Sequence, residues 1–211
     1  MKQLCVIGQG GHSKVIIDII IAMKKYQIAA CLDDKYPGTS KRKGILYGPV
    51  SLAEELSKEE SMGFVIAIGC NKTRKKLFSE LGLPIERFPV LVHPAAVVSP
   101  SSIIGGGTVV MPNSTINACA AIGNHAIINT GSVVEHDSLL GNYVHVCPNA
   151  TLTGNVEAGE GAQIGAGAAI IPGIRIGRWS IVGAGSTVIH PVPDHEKVAG
   201  APAKSILKVR V

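Results

Sequence analysis

The chain has 211 residues, a formal net charge of +5, and only 4% aromatic against 46% hydrophobic residues, with 25 glycines. That hydrophobicity excludes a disordered chain, and so few rings exclude a core built on aromatic packing. What remains is a core of repeated small layers of Val, Ile, Ala and Gly.

In chain order, Leu4-Cys5-Val6-Ile7 is a short apolar run closed by Gly8, the signature of a buried parallel strand. After Gly10 and Gly11, Val15, Ile16, Ile19, Ile20 and Met23 recur at helical spacing. A glycine cluster between strand and helix offers backbone N–H groups to an anion. Ser13 stands where a full dinucleotide fingerprint has its third glycine, so a phosphate is expected there rather than NAD. A second strand, Ala29 to Leu32, ends in Asp33-Asp34. A short helix follows from Leu52 to Leu56, a third strand from Phe64 to Ile68 ending at Gly69, and a helix from Asn71 carrying Leu77, Phe78 and Leu81. Alternating strand and helix predict a small parallel, Rossmann-like sheet over residues 1–92. The segment from Lys35 to Val50 reads as a loop that shapes specificity.

From Val98 the period becomes six. Sixteen successive positions, Val98, Ile104, Val110 and onward to Val188, are aliphatic without an insertion, and Ala158 is the only small one. Four residues after each of the first fifteen stands Ser, Thr, Ala or Val, except at Ile174. Such a repeat predicts an all-β solenoid over 93–211 in which each unit is one short strand and a turn. The aliphatic residue points inward, the small one fits beneath a corner, and Gly or Asn in between permits the bend. Three units close a triangular coil of about 18 residues, giving about five coils.

No apolar run reaches the roughly 18 residues of a membrane helix, since Asp18 interrupts the longest candidate, Val15 to Met23. Met1 opens directly into a strand-like segment, so neither membrane insertion nor a signal peptide is expected. Cys5, Cys31, Cys70, Cys119 and Cys147 form no CxxC pair and are expected as reduced, buried thiols of a cytoplasmic protein. Lys41-Arg42-Lys43 and Arg74-Lys75-Lys76 are expected as solvated surface rather than a nucleic-acid footprint. No metal site is expected.

Among the histidines His136 stands out, because Glu135 and Asp137 flank it in the middle of the solenoid. A carboxylate beside an imidazole orients the ring and favours its protonated form, which suits a general base. Residue alternation along a strand leaves either acid as the partner. His125 and Asn113 lie outward by phase and receive no role. The stretch Glu157 to Ala169 has almost no bulky side chains and would let an extended ligand approach the backbone.

The repeat resembles the hexapeptide pattern of left-handed β-helix acyltransferases, and Ala199-Gly200-Ala201-Pro202-Ala203-Lys204 resembles their closing segment. With Gly8-Gln9-Gly10-Gly11-His12, Leu32-Asp33-Asp34, Ala67-Ile68-Gly69 and Val134-Glu135-His136-Asp137 in this order, the whole chain is similar to the bacterial sugar O-/N-acetyltransferase family. That family includes sialic acid O-acetyltransferases and UDP-4-amino-sugar N-acetyltransferases. The resemblance implies the left hand of the helix, acetyl-CoA as co-substrate, a UDP-sugar as the other, and a homotrimer with active sites between subunits. It implies His136 as base with Asp137 as partner, and His145, Ala166 and Ala184 as acetyl-CoA contacts. It implies Gly10, Gly11, His12, Asp33, Asp34 and Gly69 as nucleotide-sugar contacts. The activity implied is N-acetylation of an amino sugar by direct attack, in surface polysaccharide or glycan assembly. The alternatives are O-acetylation of a sialic-acid-type hydroxyl and a non-catalytic nucleotide-sugar-binding protein.

Overall fold

A computed structural model describes residues 2–208. The N-terminal sheet contains β1 (Lys2–Ile7), β2 (Tyr26–Leu32), β3 (Ser40–Arg42), β4 (Ile45–Gly48) and β5 (Gly63–Ile66), in the spatial order β3-β4-β2-β1-β5. All pairings are parallel except the hairpin β3–β4. Helices α1 (Gly11–Met23), α2 (Leu52–Ser57) and α3 (Asn71–Leu81) connect the strands. The segment expected as a loop over 35–50 thus holds a hairpin whose second strand extends the sheet beside β2. Its strands are three and four residues long, too short for periodicity to register.

The solenoid has three parallel faces, and Thr115 paired with both Val97 and Val133 shows the coil repeat directly. Its first strand is Leu91–Val92, one unit before Val98, and it closes with Glu196–Ala199 against Lys204–Lys208. The inward residues from Val110 to Val188 stack in one apolar column with the small corner residues. Every sixth residue from Gly107 to Gly185 has φ between +53° and +73°, which makes the corner turn. Gly and Asn dominate there because L side chains resist that conformation. The buried serines under the corners keep their hydroxyls satisfied locally, as Ser132 Oγ does by donating to Asn129 O at 2.7 Å.

The two parts share a core. Leu4, Val6, Ile16, Ile19 and Ile20 pack against Leu91, Val109, Met111 and Ile127 from one face of the solenoid, called here the docked face. The apolar side chains at outward positions of the first coils are covered by α1 and β1, each worth about 1.5–3 kcal/mol when fully buried.

Candidate active site

His136 projects from the corner between the other two faces, after Val133–Val134 and before Leu139–Leu140. Asp137 occupies the left-handed corner position with φ 59°, which turns its carboxylate back to the preceding ring. His136 Nδ1 lies 2.8 Å from Asp137 Oδ2, with the two side chains 56% and 52% exposed. Glu135 instead accepts the backbone N–H of His136 at 3.4 Å. Donation to Asp137 requires the proton on Nδ1, which leaves Nε2 bare and without a partner among the described residues.

A second cluster forms where the glycine loop meets the docked face. His145 lies beside His12, Arg74 and the Gly69 backbone. Asn129 Oδ1 accepts the Thr130 N–H at 2.8 Å, which fixes the amide so that its Nδ2 meets His145 Nε2 at 3.0 Å. Burial, and then the charge of Arg74, push His145 down to about 3 and His12 to about 4, so both rings are neutral near pH 7. His12 Nε2 is buried with no partner among the described residues. Three residues far apart in sequence, His12, Gly69 and His145, therefore meet in one place.

The rest of the loop is organised by Asp33. Its carboxylate accepts the N–H of Gln9 at 2.7 Å and of Lys35 at 3.0 Å, while Asp34 accepts that of Val50 at 2.9 Å. Ser13 Oγ donates to Gly10 O at 2.7 Å, so a serine serves where the fingerprint has glycine. A side chain added at Gly10, Gly11 or Gly69 would meet nothing within 4 Å, so the backbone at all three is open to approach. Ala166 and Ala184 are exposed and sit one above the other on the corner leaving the docked face.

Several expectations need correction. Arg74 is 1% exposed, not solvated. It donates to Ile68 O and Gly69 O on its own side, to His125 O at 2.8 Å and Tyr143 O at 3.1 Å on the solenoid, and to Asn71 Oδ1 at 2.9 Å. Burial lowers its pKa to about 10, leaving it charged. His125 is outward by phase yet fully buried, caged by Phe78 at 4.5 Å, Phe88 at 4.9 Å and Tyr143 at 5.6 Å. Cys70 and Cys119 are exposed, whereas Cys5, Cys31 and Cys147 are buried as expected. Within the stretch from Glu157 to Ala169, Gly159 and Gly165 lie against the next coil and Gly161 under the Trp179 ring, whereas Ala166 and Gly167 are exposed. Sequence reasoning passed over Asn71, Arg74 and Asn129. An outward apolar series at Leu91, Val109 and Ile127, one per coil, was the available signal that a partner domain covers that face.

A groove of about 620 Å³ crosses the third face between Leu139 and Arg178 and touches none of the residues assigned to binding or catalysis. His136 stands on one corner while the glycine loop lies toward the opposite, docked face.

Residues 3–81 match the family model of the PglD N-terminal domain, and residues 159–190 that of the bacterial transferase hexapeptide (six repeats). Perosamine N-acetyltransferase from Caulobacter crescentus, solved as a histidine-to-asparagine variant with CoA and GDP-perosamine, is 38% identical. The alignment covers 98% of this chain and 97% of that chain, with a TM-score of 0.88. The acetyltransferase domain of PglB from Neisseria gonorrhoeae FA1090, solved with acetyl coenzyme A, is also 38% identical, covering 97% of this chain and 99% of that one, TM-score 0.88. UDP-N-acetylbacillosamine N-acetyltransferase from Bacillus subtilis (strain 168) is 47% identical over 112 residues. That match spans 53% of this chain and 52% of the curated relative, about half of its length.

Proposed function

Since the chain belongs to the sugar N-acetyltransferase family that joins a PglD-type domain to a left-handed hexapeptide-repeat β-helix, we propose that it acetylates the amine of a UDP-linked amino sugar from acetyl-CoA. The observation that carries the reading is the His136–Asp137 pair, held at 2.8 Å with Nε2 free. Acetyl-CoA supplies an activated acyl group. The amine attacks the thioester carbonyl while His136 Nε2 takes its proton and Asp137 stabilises the imidazolium. As the C–S bond breaks, that proton passes to the departing CoA thiolate, which leaves as free thiol and returns His136 to its neutral form. No covalent acyl-enzyme is needed. The amine is preferred over a hydroxyl because the Caulobacter and Bacillus relatives are N-acetyltransferases.

Gly10, Gly11, His12 and Gly69 hold the nucleotide sugar, with Asp33 and Asp34 shaping the loop. The unpartnered His12 nitrogen and the open space at the three glycines support this, because a buried polar atom is satisfied by a ligand. His145, Ala166 and Ala184 border the acetyl-CoA path. Because His136 and the nucleotide loop of one chain occupy different sides of the solenoid, a neighbouring copy completes each site, in a cyclic homotrimer. Val97 at 64%, Ile103 at 70% and Leu139 at 50% exposure leave apolar surface on the two faces that flank the His136 corner. The same reading places the enzyme in the cytoplasm, where it serves glycan assembly.

Thiol release from acetyl-CoA tests it, with UDP-4-amino sugars and with hydroxyl acceptors such as sialic acid. Release with an amino sugar, reduced by about 10²–10⁴ in His136→Ala, is expected. Release with hydroxyl acceptors alone would overturn the amine assignment. Tight nucleotide-sugar binding without any release would overturn catalysis altogether.

A further inference from the structure

His136 does not stand free above its corner. One coil further on, Gly154 lies directly beneath the ring: a Cβ built there would sit 2.6 Å from Cε1, 2.7 Å from Nε2 and 3.3 Å from Nδ1 of His136. All three of the nearest heavy atoms belong to this ring, so the first clash of a methyl group there is with His136.

The turn itself does not require glycine at 154. Its φ is outside the left-handed region, which on this corner belongs to Asp137, Asn155 and Gly173. The equivalent positions of neighbouring coils on the corner are Pro100, Ala118 and Pro172, so the backbone there accepts a Cβ. Elsewhere a ring resting on a glycine of the adjacent coil, as His125 on Gly107 and Trp179 on Gly161, uses a glycine that the left-handed turn already favours. At 154 the ring is the reason that remains.

We infer that Gly154 is a positioning residue for the base: its bare Cα is the floor on which the His136 imidazole lies while Nδ1 holds Asp137. This rests on the reading of His136 as the base. A methyl at 154 cannot coexist with the ring where it is, since approaches below 3.0 Å are not tolerated. The ring is the free end of an exposed side chain, so it swings away at little cost to folding. The fold survives and the base is displaced.

The test is Gly154→Ala, assayed for kcat, for KM of acetyl-CoA and of the nucleotide sugar, for melting temperature, and for the His136 Cε1–H resonance. A kcat lower by about 10- to 100-fold is expected, with both KM values and the melting temperature nearly unchanged and the resonance shifted. In a His136→Ala background the same substitution is expected to add no further loss. An unshifted resonance, or an undiminished kcat, would overturn the inference. So would an equal loss in the His136→Ala background, because Gly154 would then act without the ring. Should His136→Ala itself keep full activity, the base assignment fails, and the resonance still decides whether Gly154 sets the ring.

Discussion

At His136 two adjacent acids compete for one ring, and backbone geometry decides between them. Asp137 takes the left-handed corner position and reaches Nδ1 at 2.8 Å, whereas Glu135 turns to the backbone N–H. Asparagine is at home in that conformation, so Asp137→Asn preserves the corner while removing the charge. We expect kcat to fall by about 10- to 100-fold with the melting temperature unchanged, and Glu135→Gln to stay near wild type, both read from steady-state kinetics. The sequence announced that His136 has an acidic neighbour. It left open which acid, because alternation along a strand does not describe a residue that has already entered the turn.

At the scale of the element, α3 shows how an apolar stripe hides an ionic anchor. Leu77, Phe78 and Leu81 marked it as a helix, but Arg74 looked like one charge of a solvated triplet. In the fold it ties α3 to the same corner in two successive coils of the solenoid through the carbonyls of His125 and Tyr143, with Lys75 paired to Glu160 and Asn71 bonded to Gly161 O at 3.1 Å beside it. Arg74→Met leaves those buried acceptors unpaired and should cost about 3 kcal/mol or more, measured by denaturant unfolding. His125 adds a pH dependence. Burial, with Arg74 beside it, lowers its pKa from 6.5 to about 4, so the unfolded chain binds the extra proton between those values. The stabilisation is complete above pH 6.5 and is lost as pH falls toward 4, on the order of 3 kcal/mol from this group. His125→Phe fills the same aromatic cage without two unpartnered nitrogens. It should flatten the fall in melting temperature between pH 7 and 4.

For the whole molecule, the docked domain and the solenoid behave as one body because they share a core from Leu4 and Ile16 to Val109 and Ile127. That rigidity fixes His12, Gly69 and His145 together and keeps His136 on another side of the same chain. A site assembled from two copies predicts complementation. Chains carrying His136→Ala and chains carrying His145→Ala, each nearly inactive alone, should regain activity in about a quarter of the sites when mixed as random trimers. Activity of the mixture no higher than the sum of the separate variants would place all catalytic groups within one chain.

The six-residue period, the inward aliphatic column and the small corner residues follow from contacts between a unit and its immediate successors. They can be read from the chain alone, as can the strand–glycine–helix start and the candidate base. What the tertiary structure alone decided is non-local. Arg74 is buried because the same corner in two successive coils and α3 close around it, and His125 faces outward only until a second domain covers it. Gly154 matters because a coil separated by eighteen positions, at His136, lays its ring there. A residue's exposure depends on surfaces assembled from distant parts of the chain, and no local period encodes which surface will be covered.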